Sequence, residues 1–293
     1  MSTSSPQIRR EGRSYPWRLA LLAVAVICLY IPVLTRLVQQ WWDDANYSHG
    51  FLIPFFAAFL VWERRKRLLE IPVKPSWWGI PILLLGLCVL ALGLVGAELF
   101  LARVSLLIVI FGLIVFLGGW TMARALAAPV ATLLLMIPIP TIIYNQVVLP
   151  LQVFASKVAT ATLQITHLVP VVREGNILVL PNVSLEVAEA CSGIRSLLSL
   201  FALTIIYGYF GETRVWIRVV LCAAVAPIAV ISNAARVVFD AVAAEYWGKI
   251  AITGIDHLLS GIVLFLTAFF GMVGFHSLLV AIVRRWHVKG GTP

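Results

Sequence analysis

Charged side chains are scarce in this chain: they make up 12% of its 293 residues, whereas 61% of the residues are hydrophobic. A soluble domain carries roughly 25% charged residues, so this composition cannot cover a folded protein with a water-solvated surface. The same hydrophobic fraction excludes intrinsic disorder. The charge that is present is mostly basic, with 22 Lys and Arg against 13 Asp and Glu. The composition predicts a polytopic membrane protein, and the basic excess has to be tested against topology before nucleic acid is considered.

Several signatures of other protein classes are also missing. The chain has four cysteines: Cys28, Cys88, Cys191 and Cys222. They form neither a CxxC pair nor a Cys/His metal spacing, so no metal or other cofactor is expected. No Gly-x-Ser-x-Gly elbow is present, which argues against a serine hydrolase. No internal repeat of the kind that marks many transporters is visible.

Long apolar stretches are abundant. A membrane-spanning helix needs about 20 mostly apolar residues, and proline does not exclude a span because neighbouring helices satisfy the freed backbone groups. Eight stretches qualify: residues 19–36, 48–62, 78–97, 104–120, 126–143, 193–211, 217–236 and 257–283. The first stretch lacks a small-residue cleavage site, so we expect a retained helix and not a removed signal peptide.

The segment between the fifth and sixth stretches follows a different pattern. Residues 144–168 are apolar at helical spacing but interrupted by polar side chains, which predicts a helix at the outer interface or a re-entrant segment. Residues 170–190 alternate and are rich in β-branched side chains, with turn signals at Gly175 and Pro181. This second pattern predicts a small extracytoplasmic β-hairpin.

Together these segments predict a single, all-α integral membrane domain over residues 1–293. Its parts are a cytoplasmic tail (1–18), spans one to five (19–143), the interfacial helix and hairpin (144–190), spans six to eight (191–283) and a second cytoplasmic tail (284–293).

Lys and Arg are divided unequally between the two sides of this topology. Seven of the 22 lie on the side opposite the termini: Arg36, Arg103, Lys157, Arg173, Arg195, Arg236 and Lys249. Because basic loops stay in the cytoplasm, both termini are expected to be cytoplasmic. The basic excess is therefore an orientation signal. Arg195 and Arg236 stand out because topology does not require them on the outer side.

Cys191 is the candidate nucleophile. It lies at the outer end of the sixth span, where the helix macrodipole favours a thiolate, and Arg195 follows one turn deeper on the same face. No other outer cysteine can pair with it, so it is expected to be a free thiol in an oxidising compartment. On this segment alone, a helix-capping region with a snorkelling arginine fits about equally well.

Two further helix ends favour a chemical role. The seventh span ends with Asn233 and Arg236 on one face, and the eighth opens with Asp256 and His257. A histidine beside a thiol can act as base and then as acid, and an arginine can stabilise a thiolate or an oxyanion. Taken singly, such residues are more often interfacial anchors. Cys191, Arg236 and His257 are predicted to lie at one membrane depth. A catalytic role is therefore the better interpretation of these three residues.

The sequence resembles the exosortase/archaeosortase family of integral membrane cysteine transpeptidases from about residue 40 to residue 280. Five segments carry the resemblance: Tyr47-Ser48-His49-Gly50, Arg173-Glu174-Gly175-Asn176, residues 189–200 (EACSGIRSLLSL), Asn233-Ala234-Ala235-Arg236 and Asp256-His257. The resemblance implies a catalytic cysteine, arginine and histidine at Cys191, Arg236 and His257. The candidate supporting residues are Arg195, Asn233, Glu189 and His49. A role in forming a turn explains the presence of His49 about as well as a role in the catalytic site does.

The family resemblance also implies a substrate and a location. Its substrates are exported proteins with a C-terminal sorting tail, made of a short motif such as Pro-Glu-Pro, a transmembrane helix and a basic cluster. Cleavage is expected at the outer face of the bacterial inner membrane, within membrane lipid, and an unknown envelope acceptor or water then resolves the thioester. Such enzymes accompany exopolysaccharide export, and no nucleic acid is expected as a partner.

Two other functions stay open at this stage. A transporter or flippase for an envelope lipid or glycan is expected to carry broken helices and polar residues near the membrane midplane, whereas the polar residues here gather at the outer edge. A structural scaffold for polysaccharide assembly predicts that outer polar substitutions affect folding alone.

Overall fold

The computed structural model describes residues 16–187, 194–248 and 254–289, and most of these residues are helical. The helical segments are α1 (Pro16–Asp43), the 3₁₀ segment η1 (Ala45–Phe51), α2 (Leu52–Glu63), α3 (Arg65–Glu70), α4 (Gly79–Val95), α5 (Leu99–Thr132), the 3₁₀ segment η2 (Leu133–Met136), α6 (Thr141–Thr166), α7 (Ile194–Gly211), α8 (Val215–Trp247) and α9 (Gly254–Lys289). The strands are β1 (Val172–Glu174), β2 (Ile177–Val179) and β3 (Ser184–Glu186).

Within the described residues, five helices are long and apolar enough to cross a membrane: α1, α5 with η2, α6, α8 and α9. Helices α4 and α7 are apolar but shorter, and α2 has only 12 residues. The chain is therefore a multi-pass membrane protein, but the predicted number of eight spans is not confirmed.

The largest difference concerns the fourth and fifth predicted spans. They are not separated by a loop, because α5 continues from Leu99 to Thr132 with a kink at Gly119, where φ is 80° and ψ is 179°. A side chain at Gly119 would collide with the carbonyl oxygen of Lys74, in the segment before α4. The fifth predicted span also ends early, since η2 and a non-helical stretch follow α5.

Gly119 provides a test of this kink. We expect Gly119→Ala to lower the free energy of unfolding by about 2–4 kcal/mol, because alanine disfavours a positive φ and its Cβ has no space. Gly274→Ala is the matched control, since a Cβ at Gly274, within α9, meets no atom within 4 Å. Thermal unfolding of the two purified variants in detergent measures the change in stability that each substitution causes. Equal melting temperatures would contradict the kinked geometry.

The predicted interfacial segment forms one helix, α6. Its 26 residues are the least apolar of the five candidate spans, yet they are long and apolar enough to cross a membrane, which the sequence pattern did not lead us to expect. One face of α6 packs through Ala155, Ala159 and Leu163 against the sheet and the second half of α8. The hydroxyl of Ser156 donates to the backbone oxygen of Gly175 at 3.0 Å, which ties the helix to the first turn of the sheet.

The predicted hairpin is present, and a third strand extends it. The strand order is β1-β2-β3 with antiparallel pairing throughout. Leu178, in the middle strand, pairs with Arg173 on one side and Leu185 on the other, and its side chain is fully buried. Gly175 adopts a φ of 65° in the first turn, where a residue without Cβ is favoured.

Helices α7, α8 and α9 form a second packed unit around Leu200, Ala229 and Met272, all nearly inaccessible to solvent. The hydroxyl of Ser232 in α8 donates to the backbone oxygen of Leu264 in α9 at 3.0 Å. We call the end of this unit that meets η1 the outer end. This packing holds the first turns of α7 beside the second half of α8.

Candidate functional site

A cavity of about 430 Å³ lies at the outer end, where η1 meets α7, α8 and α9. Its polar lining consists of the guanidinium groups and hydroxyls of Ser48, Arg195, Ser196, Ser199 and Arg236. The remaining wall is formed by small and apolar residues of η1 and α9. Four separate segments of the chain thus converge on one partly polar cavity.

The short η1 segment is held firmly at the edge of this cavity. The side chain of Asp44 caps it by accepting from the backbone nitrogen of Asn46 at 2.9 Å. Gly50 lies against the indole of Trp41, and a Cβ there would overlap the ring. The indole Nε1 in turn donates to the backbone oxygen of Met136 at 2.9 Å. These contacts fix η1 between α1 and η2 and place Ser48 at the cavity.

Arg195, the second residue of α7, is oriented by a chain of polar contacts. Its Nε donates to Oδ1 of Asn46 at 3.1 Å, and Nδ2 of Asn46 donates to the hydroxyl of Tyr144 at 3.2 Å. This chain connects α7 to η1 and α6. The guanidinium is therefore held at the cavity wall and does not extend freely from the helix end.

Arg236 enters the cavity from α8. Its Nε lies 3.7 Å from Oδ2 of Asp240, one turn further along the helix. Asp240 is buried, with 3% of its surface exposed. The guanidinium packs against α9 at Gly261, where a Cβ would lie 3.2 Å from Nη2. Asn233, one turn before Arg236, is buried. A buried carboxylate and a close helix contact thus position this guanidinium.

His49 lies in η1 but is directed to η2 and not to the cavity lining. Its Nε2 donates to the backbone oxygen of Leu135 at 3.2 Å. Burial lowers the pKa of His49, and this effect outweighs the backbone hydrogen bonds at Leu135 and Asn46, which raise it. The imidazole is therefore neutral at pH 7.

The predicted site residues are distributed as follows. The structure brings Arg195 and Arg236 to one cavity. Glu189 and Cys191 lie outside the described residues, and Cys191 precedes the first residue of α7 by three positions. His257 belongs to the first turn of α9, and its side chain is outside the described part of the structure.

Sequence reasoning missed two residues of this site, Asn46 and Gly261. Asp44 and Asn46 are an Asx-type signal for a turn, but nothing local indicates that Asn46 binds an arginine 149 positions away. Gly261 lies in an apolar helix, where the need for a close approach to Arg236 is invisible. Within the described ranges, no three His, Cys, Asp or Glu side chains lie close enough to hold a metal ion.

The fold and the cavity define a class: a multi-pass membrane protein with a polar, arginine-lined cavity at one end of its helices. Comparison with known proteins identifies the family. The chain matches the family described as transmembrane exosortase (Exosortase_EpsH) over residues 41–274, and it belongs to that family. The match covers η1, the sheet and all of α7 and α8, so it includes every segment that lines the cavity. No curated protein and no solved structure matches the chain.

Proposed function

We propose that this protein is a membrane-embedded cysteine transpeptidase that cleaves the C-terminal sorting tails of exported proteins. The observation that carries the proposal is the convergence of Arg195 from α7 and Arg236 from α8 on one cavity. Cys191 lies four positions before Arg195 in the chain, and His257 lies one turn before Gly261, which lines the same cavity. Membership of the exosortase family is consistent with this activity.

In the proposed reaction the Cys191 thiolate attacks the carbonyl carbon of the scissile peptide bond. The carbonyl oxygen becomes an oxyanion, which the Arg236 guanidinium stabilises. His257 donates a proton to the leaving nitrogen as the C–N bond breaks, so the tail departs as an amine and a thioester remains on Cys191. An acceptor nucleophile or water then attacks the thioester, gives its proton to His257 and releases the thiolate.

Arg195 has a distinct part in this scheme. A cation one turn from a thiol at a helix N-terminus stabilises the thiolate and lowers its pKa. Asn46 holds Arg195 by its Nε, so the terminal nitrogens of the guanidinium remain able to face the thiolate. Asn233 and Glu189 are proposed as supporting residues. His49, which binds the Leu135 carbonyl, is proposed to shape η1 and not to transfer protons.

The proposed location is the bacterial inner membrane, with both termini cytoplasmic and the cavity facing the outside. Residues 1–293 then form one integral membrane domain. A substrate whose tail ends in a basic cluster is held in the membrane by that cluster, because basic residues stay in the cytoplasm. Its cleavage motif is then placed near the outer surface, at the depth of Arg195 and Arg236. The proposed link to exopolysaccharide assembly rests on the family resemblance.

Co-expression with a substrate tests this function. A proteome scan for proteins that end in a short motif, an apolar helix and a basic cluster supplies the candidates, and an epitope tag on the tail reports cleavage. We expect release of the tagged tail with the enzyme and none without it. A candidate set that is never cleaved, in cells that fold and insert the enzyme, contradicts the proposal.

The alternative of a transporter or flippase gains no support from the described geometry. Arg195 and Arg236 lie at the outer end and beside the 3₁₀ segment η1, whereas a transport site is expected near the membrane midplane. The two hypotheses also differ in the assay, because a transporter leaves the tagged tail intact and retains its transport after loss of Cys191.

Asn46 provides a test of how Arg195 is held. We expect Asn46→Ala to lower the rate of tail release by about 10- to 100-fold. Loss of a hydrogen bond to a charged group costs about 1.5–3 kcal/mol, and here that loss leaves Arg195 less well oriented. The pH dependence of the rate should shift to higher pH, since the thiolate loses part of its stabilisation. A matched control is Asn182→Ala, whose side chain binds Glu245 away from the cavity. Equal rates and pH profiles for the two variants contradict a positioning role.

A further inference from the structure

A second cavity, of about 780 Å³, lies at the other end of α7, α8 and α9. Residues that line it include Tyr207, Glu212, Arg214, His276, Ser277 and Arg284. Arg195, at the outer cavity, and Gly211, at this one, are separated by about 24 Å of α7. That distance approaches the hydrocarbon thickness of a bilayer, about 30 Å. The two cavities therefore lie at opposite ends of α7, and the proposed transpeptidase reaction does not use the second one.

Three of the residues that line this cavity, Tyr207, His276 and Glu212, are connected by hydrogen bonds. The hydroxyl of Tyr207 lies 2.7 Å from Nδ1 of His276, and Nε2 of His276 lies 3.4 Å from Oε2 of Glu212. The other carboxylate oxygen, Oε1, accepts from the backbone nitrogens of Thr213 at 2.8 Å and Arg214 at 2.9 Å. The bond from Arg214 lowers the pKa of Glu212 more than burial raises it. Glu212 is thus ionised, and both of its carboxylate oxygens accept hydrogen bonds within the protein.

The mouth of the cavity has the opposite charge. Arg214, in the connection before α8, and Arg284, near the end of α9, are exposed. Neither guanidinium forms an ion pair within the described part of the chain, although both line the cavity. Arg218 is occupied elsewhere, since its Nε donates to the backbone oxygen of Glu212 at 2.7 Å. The charge of Arg214 helps to lower the pKa of Glu212, but no carboxylate of the described residues lies within ion-pair distance of either guanidinium. Both guanidiniums are therefore able to donate hydrogen bonds to a phosphate group.

The surface around the mouth is apolar. Phe210 and Val215, which flank the connection between α7 and α8, are 61% and 69% exposed, and Trp216 is 49% exposed. Tryptophan in such a position is typical of the boundary between lipid and water. A ligand at this mouth therefore meets guanidiniums at one end and a lipid-facing apolar surface at the other.

We propose that this cavity binds the phosphate headgroup of an anionic phospholipid from the leaflet on the side opposite the candidate site. Arg214 and Arg284 hold the phosphate oxygens, and the acyl chains lie against the exposed apolar residues that flank the connection. Basic pockets between membrane helices bind anionic headgroups in this way. Free phosphate shares the headgroup chemistry but lacks the acyl chains, so the two ligands are separable.

Native mass spectrometry of the full-length protein in a neutral detergent tests the proposal. The probes are phosphatidylglycerol and phosphatidylcholine, added at equal concentration. We expect retention of phosphatidylglycerol in preference to phosphatidylcholine, and a loss of affinity of about 20-fold in Arg214→Gln/Arg284→Gln. The matched control, Lys66→Gln/Arg67→Gln, removes two exposed charges of α3 outside this cavity and should bind as the wild type does.

Three results overturn the proposal. They are equal retention of the two lipids, equal loss in the control variant, and displacement of phosphatidylglycerol by inorganic phosphate at the same concentration. Arg214→Lys/Arg284→Lys guards against a folding artefact, because it keeps both charges and should regain most of the affinity. No substrate is added, so a negative result here leaves the transpeptidase proposal unaffected, and failure of cleavage leaves this one unaffected.

Discussion

Cys191→Ala is expected to abolish release of the substrate tail, with a fall in rate of about 10⁴-fold or more. Loss of a covalent nucleophile removes the whole thioester pathway, and what remains is the hydrolysis that a polar cavity supports without it. The expected blot shows full-length substrate alone, at the level seen without enzyme. Insertion and melting temperature should stay close to those of the wild type, because the substitution exchanges one small side chain for another.

The other three cysteines supply the control for this experiment. Cys28 and Cys88 are exposed on their helices and Cys222 is half-buried in α8, and all three are free thiols. The triple variant Cys28→Ala/Cys88→Ala/Cys222→Ala should cleave at close to the wild-type rate. Continued cleavage by Cys191→Ala, or loss of cleavage in the triple variant, would contradict the assigned nucleophile.

Arg236→Gln is expected to lower kcat by about 10²–10³-fold, which is the usual effect of removing one oxyanion donor. Because the proposed contact forms in the transition state, KM should change little. Arg236→Lys should recover only part of the rate, since an ammonium group keeps the charge but not the planar set of donors. Single-turnover cleavage of a synthetic tail peptide by enzyme in nanodiscs separates kcat from KM.

The effect of Arg236→Gln on folding stability has to be separated from its effect on catalysis. Arg236 lies 3.7 Å from Asp240, and removal of one partner leaves a buried carboxylate less well compensated. Arg236→Gln/Asp240→Asn removes both charges and should restore the melting temperature without restoring kcat. Arg173→Gln, in β1, replaces an arginine whose Nη1 donates to the backbone oxygen of Gly175 at 2.6 Å, and this variant should retain full activity. A double variant that regains activity would show that Arg236 acts through stability alone.

The multi-pass membrane class could be predicted from the sequence, because apolar length is a strong and local signal for membrane helices. The small sheet was equally predictable, because alternation and the turn residue Gly175 act over a few positions. Its third strand was not, since β3 gains stability from pairing with β2.

The number and bounds of the spans could not be predicted in the same way. Apolar composition is similar on both sides of Gly119, and only its positive φ, required by the nearby backbone of Lys74, distinguishes a kink from a loop. The polar residues that interrupt the apolar pattern of α6 predict an interfacial helix or a re-entrant segment. The structure buries Gln152 and Ser156 of this helix, so they do not mark a solvated face.

For the cavity, the sequence indicated two arginines of the lining but none of the contacts that hold them. Arg195 and Arg236 were selected because topology does not require cations on the outer side, and both line the cavity. Asn46, which holds Arg195, is 149 positions away in the chain. Gly261, which contacts Arg236, allows the close approach because it has no side chain. Such partners become visible only when helices pack.

Trapping of the covalent intermediate tests the central claim most directly. The triple cysteine-to-alanine variant leaves Cys191 as its single thiol, and rapid acid quenching of a reaction with a tail substrate preserves a thioester for peptide mass spectrometry. The account predicts that the peptide containing Cys191 gains the mass of the substrate portion upstream of the cleavage site, that hydroxylamine removes this adduct, and that neither adduct nor cleavage occurs in Cys191→Ser. Efficient cleavage with no adduct on Cys191 at any quench time, together with full activity of Cys191→Ser, would contradict it.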